Sequence, residues 1–261
     1  HDCVHGAFSD SPRWNRNIGY LCGILTLTAF GGWRRTHVGH HIRAGDLDRR
    51  GMGDVWLMTV DEYRAEPLLT RLAYRIYRHP FILFVIGPGV YFLLINRWPS
   101  KGANRRDRLS VLYTNLAIAA IIVIASLTIG IETYLLVQLP VVLIAGAAGI
   151  WLFYVQHQFQ GVYWARTEEW DPRRVAMEGA SFYRLPKLLQ WATGNIGFHH
   201  LHHVRPAIPN YNLPACHEAI PALQAIKPLG LRDSLHCARL NLYDEQRHEM
   251  VSFGQIGGHP A

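Results

Sequence analysis

The sequence predicts an all-α integral membrane protein from three features: two long apolar segments, a low content of charged residues, and weak strand signals throughout. Apolar residues make up 49% of the 261-residue chain and charged residues 17%, which suits a membrane protein with sizeable parts outside the bilayer. The formal net charge is +7, which favours nucleic acid, an anionic membrane or an acidic protein as partner. The basic residues are scattered and form no recognisable nucleic-acid-binding module, so we expect a lipid bilayer and no nucleic acid as partners.

Two apolar segments, about 111–130 and 134–155, are each long enough to cross a bilayer as a helix. A tight link around Glu132 joins them, so they predict a transmembrane helix hairpin over about 111–155. The stretch before this hairpin is basic and carries Arg97, Lys101, Arg105, Arg106 and Arg108. Positively charged loops lie in the cytosol, and the hairpin therefore returns residue 157 to the cytosolic side.

Two other apolar stretches do not fit a simple crossing. Residues 18–30 are too few to span a bilayer comfortably. Residues 80–96 are interrupted by Gly87-Pro88-Gly89, and we interpret them as a segment that enters the membrane and returns, or that lies in its interface. The prediction is a single domain over 1–261, with a helical cytosolic cap formed by about 1–78 and 156–261.

Nine of the fifteen histidines fall in four places along the chain. They are His1 and His5 in HDCVH, His37, His40 and His41 in HVGHH, His157 in VQHQF, and His199, His202 and His203 in HHLHH. On a helix, residues at i, i+3 and i+4 lie on one face, so each motif can direct two or three imidazoles to one point. Imidazole binds iron, copper, nickel and zinc, and nine ligands suit two metal ions better than one zinc with three or four ligands.

Each histidine motif has a simpler interpretation when it is taken alone. An isolated His-x-x-x-His is more often structural than metal-binding, and an isolated His157 is more often a histidine at the membrane interface. The combination of four motifs on one predicted membrane face is what predicts a metal centre. His200 points about 100° away from His199 on a helix and is left out. The remaining histidines are interpreted as surface or structural residues: His79, His217, His236, His248 and His259.

The segments HDCVHGAF, WRRTHVGHH and GFHHLHH resemble the three histidine boxes of membrane fatty-acid desaturases. The surrounding segments GDLDRRGMGDVWLMTVDEY, YVQHQFQGVYW and NIGFHHLHHVRPAIPNYNL are similar to the bacterial acyl-lipid branch of that family. The resemblance covers the chain from His1 to about Glu218. In this family the first box follows a transmembrane hairpin, so the resemblance implies that about two helices are missing before His1.

The resemblance implies a cytosolic diiron centre that desaturates a long-chain, lipid-linked fatty acyl group with dioxygen as co-substrate. It places the protein in a bacterial inner membrane with the metal site on the cytoplasmic face. The implied metal ligands are His1, His5, His37, His40, His41, His157, His199, His202 and His203, and no catalytic residue beyond them is implied. The chain shows no flavin or nicotinamide motif and no fused cytochrome b5, so we expect a separate electron donor of the ferredoxin or cytochrome b5 type.

Three residues near the boxes have roles that the sequence leaves open. Animal acyl-CoA desaturases place an Asn four residues before the isolated histidine, and Phe153 occupies that position here, so this feature does not transfer. Asn195, four residues before His199, is a substitute ligand or a structural amide, with the structural role favoured. Asp2 can orient a ligand imidazole or cap a helix.

Several other functions compete with acyl desaturation. A carotenoid ketolase or hydroxylase, or a lipid hydroxylase, would share the boxes; segments 45–63 and 155–164 favour the acyl desaturase. A non-catalytic membrane protein that binds or transports metal would place polar ligands within its spanning segments, which carry almost none here.

Two further motifs are interpreted as coincidental. Glu245 and His248 form one Glu-x-x-His pair without a mate, where a carboxylate diiron site needs two. Asp46 and Asp48 suggest a calcium loop, but Arg50 stands where an oxygen ligand is required, so we expect a polar turn.

Overall fold

The computed structural model describes residues 1–256, and the chain is mostly helical, as predicted. The described chain divides into two compact units. The first unit contains His1, Cys3–Val38 and Phe81–Trp151, and the second contains Asp2, Gly39–Pro80 and the residues from Leu152 onward. The organisation as one domain over 1–261 stays a prediction, and the last five residues of the predicted cap lie outside the described residues.

The α-helices, in chain order, are α1 (Asp2–His5), α2 (Pro12–Leu25), α3 (Phe30–Arg43), α4 (Val60–Ala65), α5 (Leu68–Arg78), α6 (Gly87–Gly89), α7 (Arg105–Thr128), α8 (Ile131–His157), α9 (Pro172–Glu178), α10 (Lys187–Ala192), α11 (His199–Val204), α12 (Leu213–Ala219), α13 (Pro221–Gln224) and α14 (Leu231–Cys237). Short 3-10 helices cover Ile95–Arg97, Ile196–Phe198 and Asn210–Asn212, and π-helical turns cover Ile82–Ile86 and Val90–Leu94. The strands are β1 (Met58–Thr59), β2 (Leu242–Asp244) and β3 (Glu249–Val251).

Helices α7 and α8 are long and apolar enough to cross a membrane, with mean hydropathies of 2.1 and 2.2. Asn104 caps α7 in a reciprocal capping box with Asp107. Large apolar side chains along both helices are exposed, among them Leu127 and Leu136, as expected for surfaces that contact lipid rather than water. The hairpin link falls at Ile129 and Gly130 (φ +85°), and not around Glu132 as predicted. Glu132 lies in the first turn of α8, where a carboxylate is favoured by the helix dipole.

The predicted interrupted segment is helical from Ile82 to Arg97, with Gly87-Pro88-Gly89 as a single α-helical turn between two π-helical turns. Among the described residues, a third candidate span arises only if this run and α5 are counted together as one bent span. Its re-entrant course therefore stays a prediction. A Cβ at Gly146 of α8 would lie 2.9 Å from the Phe92 ring, so a small residue is needed where this run packs on α8.

The part of helix α3 that belongs to the first unit is held there by close backbone packing. Gly19 of α2 lies against Phe30, and a Cβ on Gly19 would be 2.3 Å from the Phe30 ring. Farther along α3, Arg35 donates to Ser100 Oγ at 2.8 Å and pairs with Asp107 at 2.7 Å. These contacts fix the first two turns of α3, from which His37 projects.

The second unit contains a small sheet that the sequence signals did not predict. Strand β1 pairs parallel to β2, and β2 pairs antiparallel to β3. The strands are two or three residues long, too short for period-two alternation to be recognisable. Met58, Leu242 and Val251 bury their side chains in the core beside this sheet.

A buried arginine connects the sheet region of the second unit to the end of α8 through hydrogen bonds. Arg78 is 1% exposed. Its guanidinium donates to Tyr154 Oη at 2.9 Å, Gln158 Oε1 at 3.0 Å and the Leu240 carbonyl at 2.7 Å. Hydrogen bonds from an ionised donor are stronger than neutral ones, so this residue fixes the helical turn that carries His157.

The glycine contact between α2 and α3 gives a matched stability test. Gly19→Ala should lower the free energy of unfolding by about 1–3 kcal/mol, because the added methyl meets the Phe30 ring in a packed position. Gly32→Ala is the control, since a Cβ there has no neighbour within 4 Å and helix propensity improves. The measurement is thermal unfolding of both variants in detergent; equal melting temperatures would contradict the packing described.

Candidate metal centre

Four histidines of the second unit place their Nε2 atoms around one point. His40 comes from the second box, His157 from the end of α8, and His199 and His203 from the third box. His157 Nε2 lies 3.1 Å from His40 Nε2 and 2.9 Å from His199 Nε2, and His203 Nε2 lies 3.1 Å from His199 Nε2. All four ligand atoms lie within 4.8 Å of one another. Three distant parts of the sequence thus supply side chains that lie close together.

Hydrogen bonds at Nδ1 fix the orientation of two of these rings. His40 Nδ1 donates to Asp54 Oδ1 at 2.6 Å, and His157 Nδ1 donates to the Gly179 carbonyl at 3.1 Å. A carbonyl and an ionised carboxylate only accept, so both rings carry their proton on Nδ1. Their Nε2 atoms consequently present lone pairs to the centre of the group.

The segment Gly179–Ser181 organises two of the contributing elements at once. Besides the Gly179 carbonyl, Ser181 donates through its N–H to the Gln156 carbonyl at 3.0 Å and through its hydroxyl to the Val155 carbonyl at 3.1 Å. The Ser181 carbonyl accepts from the His200 N–H at 3.3 Å. These bonds satisfy carbonyls at the C-terminus of α8 and connect that terminus to the start of the third box.

The remaining two box histidines of the second unit form a close pair. His41 Nε2 lies 3.0 Å from His202 Nε2. The His41 ring also stacks on His203, with ring centroids 4.2 Å apart and planes 22° from parallel. All six of the proposed ligands that belong to the second unit therefore contact another member of the set.

The three histidines of the first unit also lie close together. His1 and His5 of the first box meet His37, with His5 Nε2 3.0 Å from His37 Nε2. The possible ligand atoms of these three residues lie within 4.8 Å of one another. Trp33, one turn before His37, stacks on its ring with centroids 4.8 Å apart and planes 14° from parallel, which restrains the imidazole.

The chemistry of the four-histidine group fits a cation at its centre. Burial, and then the neighbouring His157, hold the pKa of His199 well below its ordinary value. Burial, and then His199, do the same for the pKa of His203. Neutral imidazoles whose bare Nε2 atoms face one another at about 3 Å repel unless a cation lies between them. The donor set is therefore suited to a metal ion.

The histidine omitted from the third box turns away from the group, as predicted. His200 is fully buried and lies 3.3 Å from His217 through its Nε2 atom. Burial, and then His217, lower the pKa of His200 to about 4. Its ring packs against the Phe182 ring, and these contacts are those of a structural residue.

The other residues considered near the boxes also have structural partners. Asn195 adopts a left-handed conformation (φ +54°) and donates to the Asn210 carbonyl at 3.1 Å. Asp2 accepts from the backbone N–H of Asn210 at 2.9 Å and from its amide at 2.8 Å. Phe153 packs its ring against His40 and His157, with centroids 5.3 and 5.1 Å apart, and so provides an apolar wall.

The two motifs interpreted as coincidental are part of an ion-pair network in the second unit. Arg166 pairs with Glu245 at 2.7 Å, Asp48 at 2.8 Å and Glu62 at 3.3 Å. The hydrogen bond from Arg166 is the main cause that lowers the pKa of Glu245. Asp46 accepts from Arg49 at 2.6 Å and from the Thr167 hydroxyl at 2.9 Å. The polar turn expected at Asp46 is thus present.

The residue that sequence reasoning missed is Asp54, which contacts His40 directly. It follows His40 by fourteen positions and lies in a glycine-rich turn, outside any helical spacing. The signal for Asp54 in the sequence is its position in the segment GDLDRRGMGDVW, which is similar to desaturases but does not by itself indicate a contact with His40.

Two apolar helices of membrane-spanning length and a buried group of histidines that could hold a metal together indicate a membrane-associated protein. Residues 1–232 match the family described as fatty acid desaturase, and the chain belongs to that family. A fatty acid desaturase of Bacillus subtilis is 46% identical over 98% of this chain and 73% of its own length. This membership confirms the predicted resemblance and the prediction of a desaturase-type enzyme.

More distant relatives carry more specific names. The sn-1 oleoyl-lipid 12-desaturase of Synechocystis is 26% identical over 84% of this chain and 62% of its own length. The sn-2 acyl-lipid omega-3 desaturase (ferredoxin) of Arabidopsis thaliana is 28% identical over 88% of this chain and 51% of its own length. The chain thus spans between about half and three quarters of the length of these relatives.

The four-histidine group predicts a selective loss of metal. His203→Ala should weaken metal binding at this group at least 10-fold, because it removes one of four converging nitrogens. His236→Ala is the matched control, since His236 is exposed in the same unit. The measurement is metal per protein chain after dialysis against a competing chelator; equal retention by both variants would contradict a ligand role for His203.

Proposed function

We propose that this protein desaturates a long-chain fatty acyl group attached to a membrane lipid, with dioxygen as oxidant. Per turnover, one –CH2–CH2– unit, one O2, two electrons and two protons give one –CH=CH– unit and two waters. Breaking an unactivated C–H bond is beyond the acid–base chemistry of side chains, so a redox metal must supply this chemistry. The observation that carries the proposal is the group of four converging Nε2 atoms in a chain of the desaturase family.

The nine box histidines are the proposed ligands of two non-haem irons. His40, His157, His199 and His203 form the group around one point, and His41 and His202 approach each other at 3.0 Å. His1, His5 and His37 complete the set from the first unit. Asp54 and the Gly179 carbonyl orient two of the rings, and Phe153 keeps water from one side of them.

The proposed location is the cytoplasmic face of a bacterial inner membrane. Helices α7 and α8 supply two spans, and the basic stretch before α7 favours a cytosolic position for their ends. Helix α5 supports a membrane-surface position for its part of the chain, because it exposes Leu68, Leu69 and Leu72 beside Arg71 and Arg75. An apolar acyl substrate partitions to such a surface.

Electrons are proposed to come from a separate acidic carrier, either a ferredoxin or a cytochrome b5. The net charge of +7 favours association with an acidic protein. The Arabidopsis relative carries the word ferredoxin in its name, which supports the first of these carriers.

Two alternative functions are less well supported. Carotenoid or lipid hydroxylation would use the same histidine boxes, but the named relatives above are acyl desaturases. A non-catalytic metal-binding protein would not account for the family match or for the relatives, which are named as desaturases.

The proposal is tested by the fatty-acid profile of a bacterial host. The full-length protein, expressed with a ferredoxin and its reductase, should produce new unsaturated acyl chains detected by mass spectrometry. The double variant His202→Ala/His203→Ala should abolish them, whereas the exposed-site variant His236→Ala should retain them. An unchanged profile from protein that holds iron and receives electrons would refute acyl desaturation, and hydroxylated lipids and carotenoids would be analysed next.

A further inference from the structure

Asp54 is the carboxylate that contacts the four-histidine group directly. Its Oδ1 atom lies 2.6 Å from His40 Nδ1, and the side chains of His40 and Asp54 are 3% and 7% exposed. The second oxygen, Oδ2, accepts from the Gly51 N–H at 2.9 Å. Because both oxygens are engaged, the carboxylate is held in one orientation against the imidazole.

The turn that carries Asp54 is shaped for this contact. Gly51 and Gly53 have φ values of +101° and +80°, which side chains other than glycine rarely adopt. Met52 lies between them with its sulfur against Gly39 of the second box, where a Cβ would be 2.3 Å from that sulfur. The turn is therefore docked on α3 one residue before His40, and the glycine of HVGHH makes room for it.

The two oriented imidazoles of the group have unlike partners. The Nδ1 partner of His157 is the neutral carbonyl of Gly179, whereas that of His40 is a carboxylate. A carboxylate on the far nitrogen of a metal-binding histidine fixes its tautomer and raises its basicity as a ligand. This arrangement also places a carboxylate beside a group whose other members are imidazoles.

We infer that Asp54 is a positioning residue that holds His40 with its Nε2 lone pair toward the metal and strengthens metal binding at this group. This inference rests on the proposed function, since it takes the group to hold iron. Asp54 itself is not a ligand, because its near oxygen is occupied by His40 Nδ1. An asparagine there would remove the charge, and its amide N–H2 could force the opposite tautomer, with a proton on Nε2.

The test uses the full-length protein in detergent, loaded anaerobically with ferrous iron and titrated with a chromogenic ferrous chelator. Asp54→Asn should weaken iron binding about 10–100-fold at one of the two iron sites. The Mössbauer spectrum should then show one iron environment changed and the other retained. Asp54→Glu keeps the charge on a longer side chain and should restore part of the affinity.

Two matched variants separate positioning from a general loss of stability. Asp61→Asn removes a carboxylate that is 68% exposed and should leave iron affinity unchanged. Asp46→Asn removes a fully buried carboxylate that contacts Arg49 and Thr167, and should lower the melting temperature with less effect on iron. An affinity loss in Asp54→Asn no greater than in Asp46→Asn would overturn the inference.

The wild-type protein distinguishes failure of this inference from failure of the proposed function. Wild-type protein that retains no iron would refute the metal centre itself. Wild-type protein with two irons, together with an Asp54→Asn variant of unchanged affinity and spectrum, would refute the role of Asp54 alone.

Discussion

The central constraint on the second unit is the approach of His40 and His157, whose Nε2 atoms lie 3.1 Å apart with their lone pairs toward each other. Neutral imidazoles do not converge in this way without a cation to bind, so the surrounding structure must hold them in place. Arg78 fixes the last turn of α8, and Gly179–Ser181 joins that turn to the third box. These hydrogen bonds hold the imidazole rings in positions from which they could bind a metal ion.

The long helices and the placement of several histidines on one helical face were predictable because they follow short-range periodicity. Apolar runs of membrane-spanning length indicated α7 and α8, and the i, i+3, i+4 spacing of the boxes indicated rings on one helical face. The exact position of the link between the spans was not predictable from the sequence. Glu132 belongs to the first turn of α8 rather than to the link that precedes this helix. A charged residue between apolar runs does not by itself distinguish these positions.

The sheet and the partners of the ligands could not be predicted, because they depend on tertiary contacts between distant parts of the chain. Strand β1 pairs with β2 across more than 180 residues, over a length of two residues that gives no periodic signal. Asp54 is fourteen positions from His40, and Gly179 is twenty-two from His157. Neither distance corresponds to a helical or strand repeat, so only the folded chain shows these contacts.

The unlike partners of His40 and His157 have a consequence for how such a site changes during evolution. A backbone carbonyl is present whatever side chain stands at position 179. A point mutation there therefore keeps the acceptor of the His157 hydrogen bond and can change its length only by moving the backbone. The partner of His40 is a side chain, which a single codon change can replace. Natural selection can therefore replace the hydrogen-bond partner of His40 by a single substitution, whereas the partner of His157 is protected from such a change.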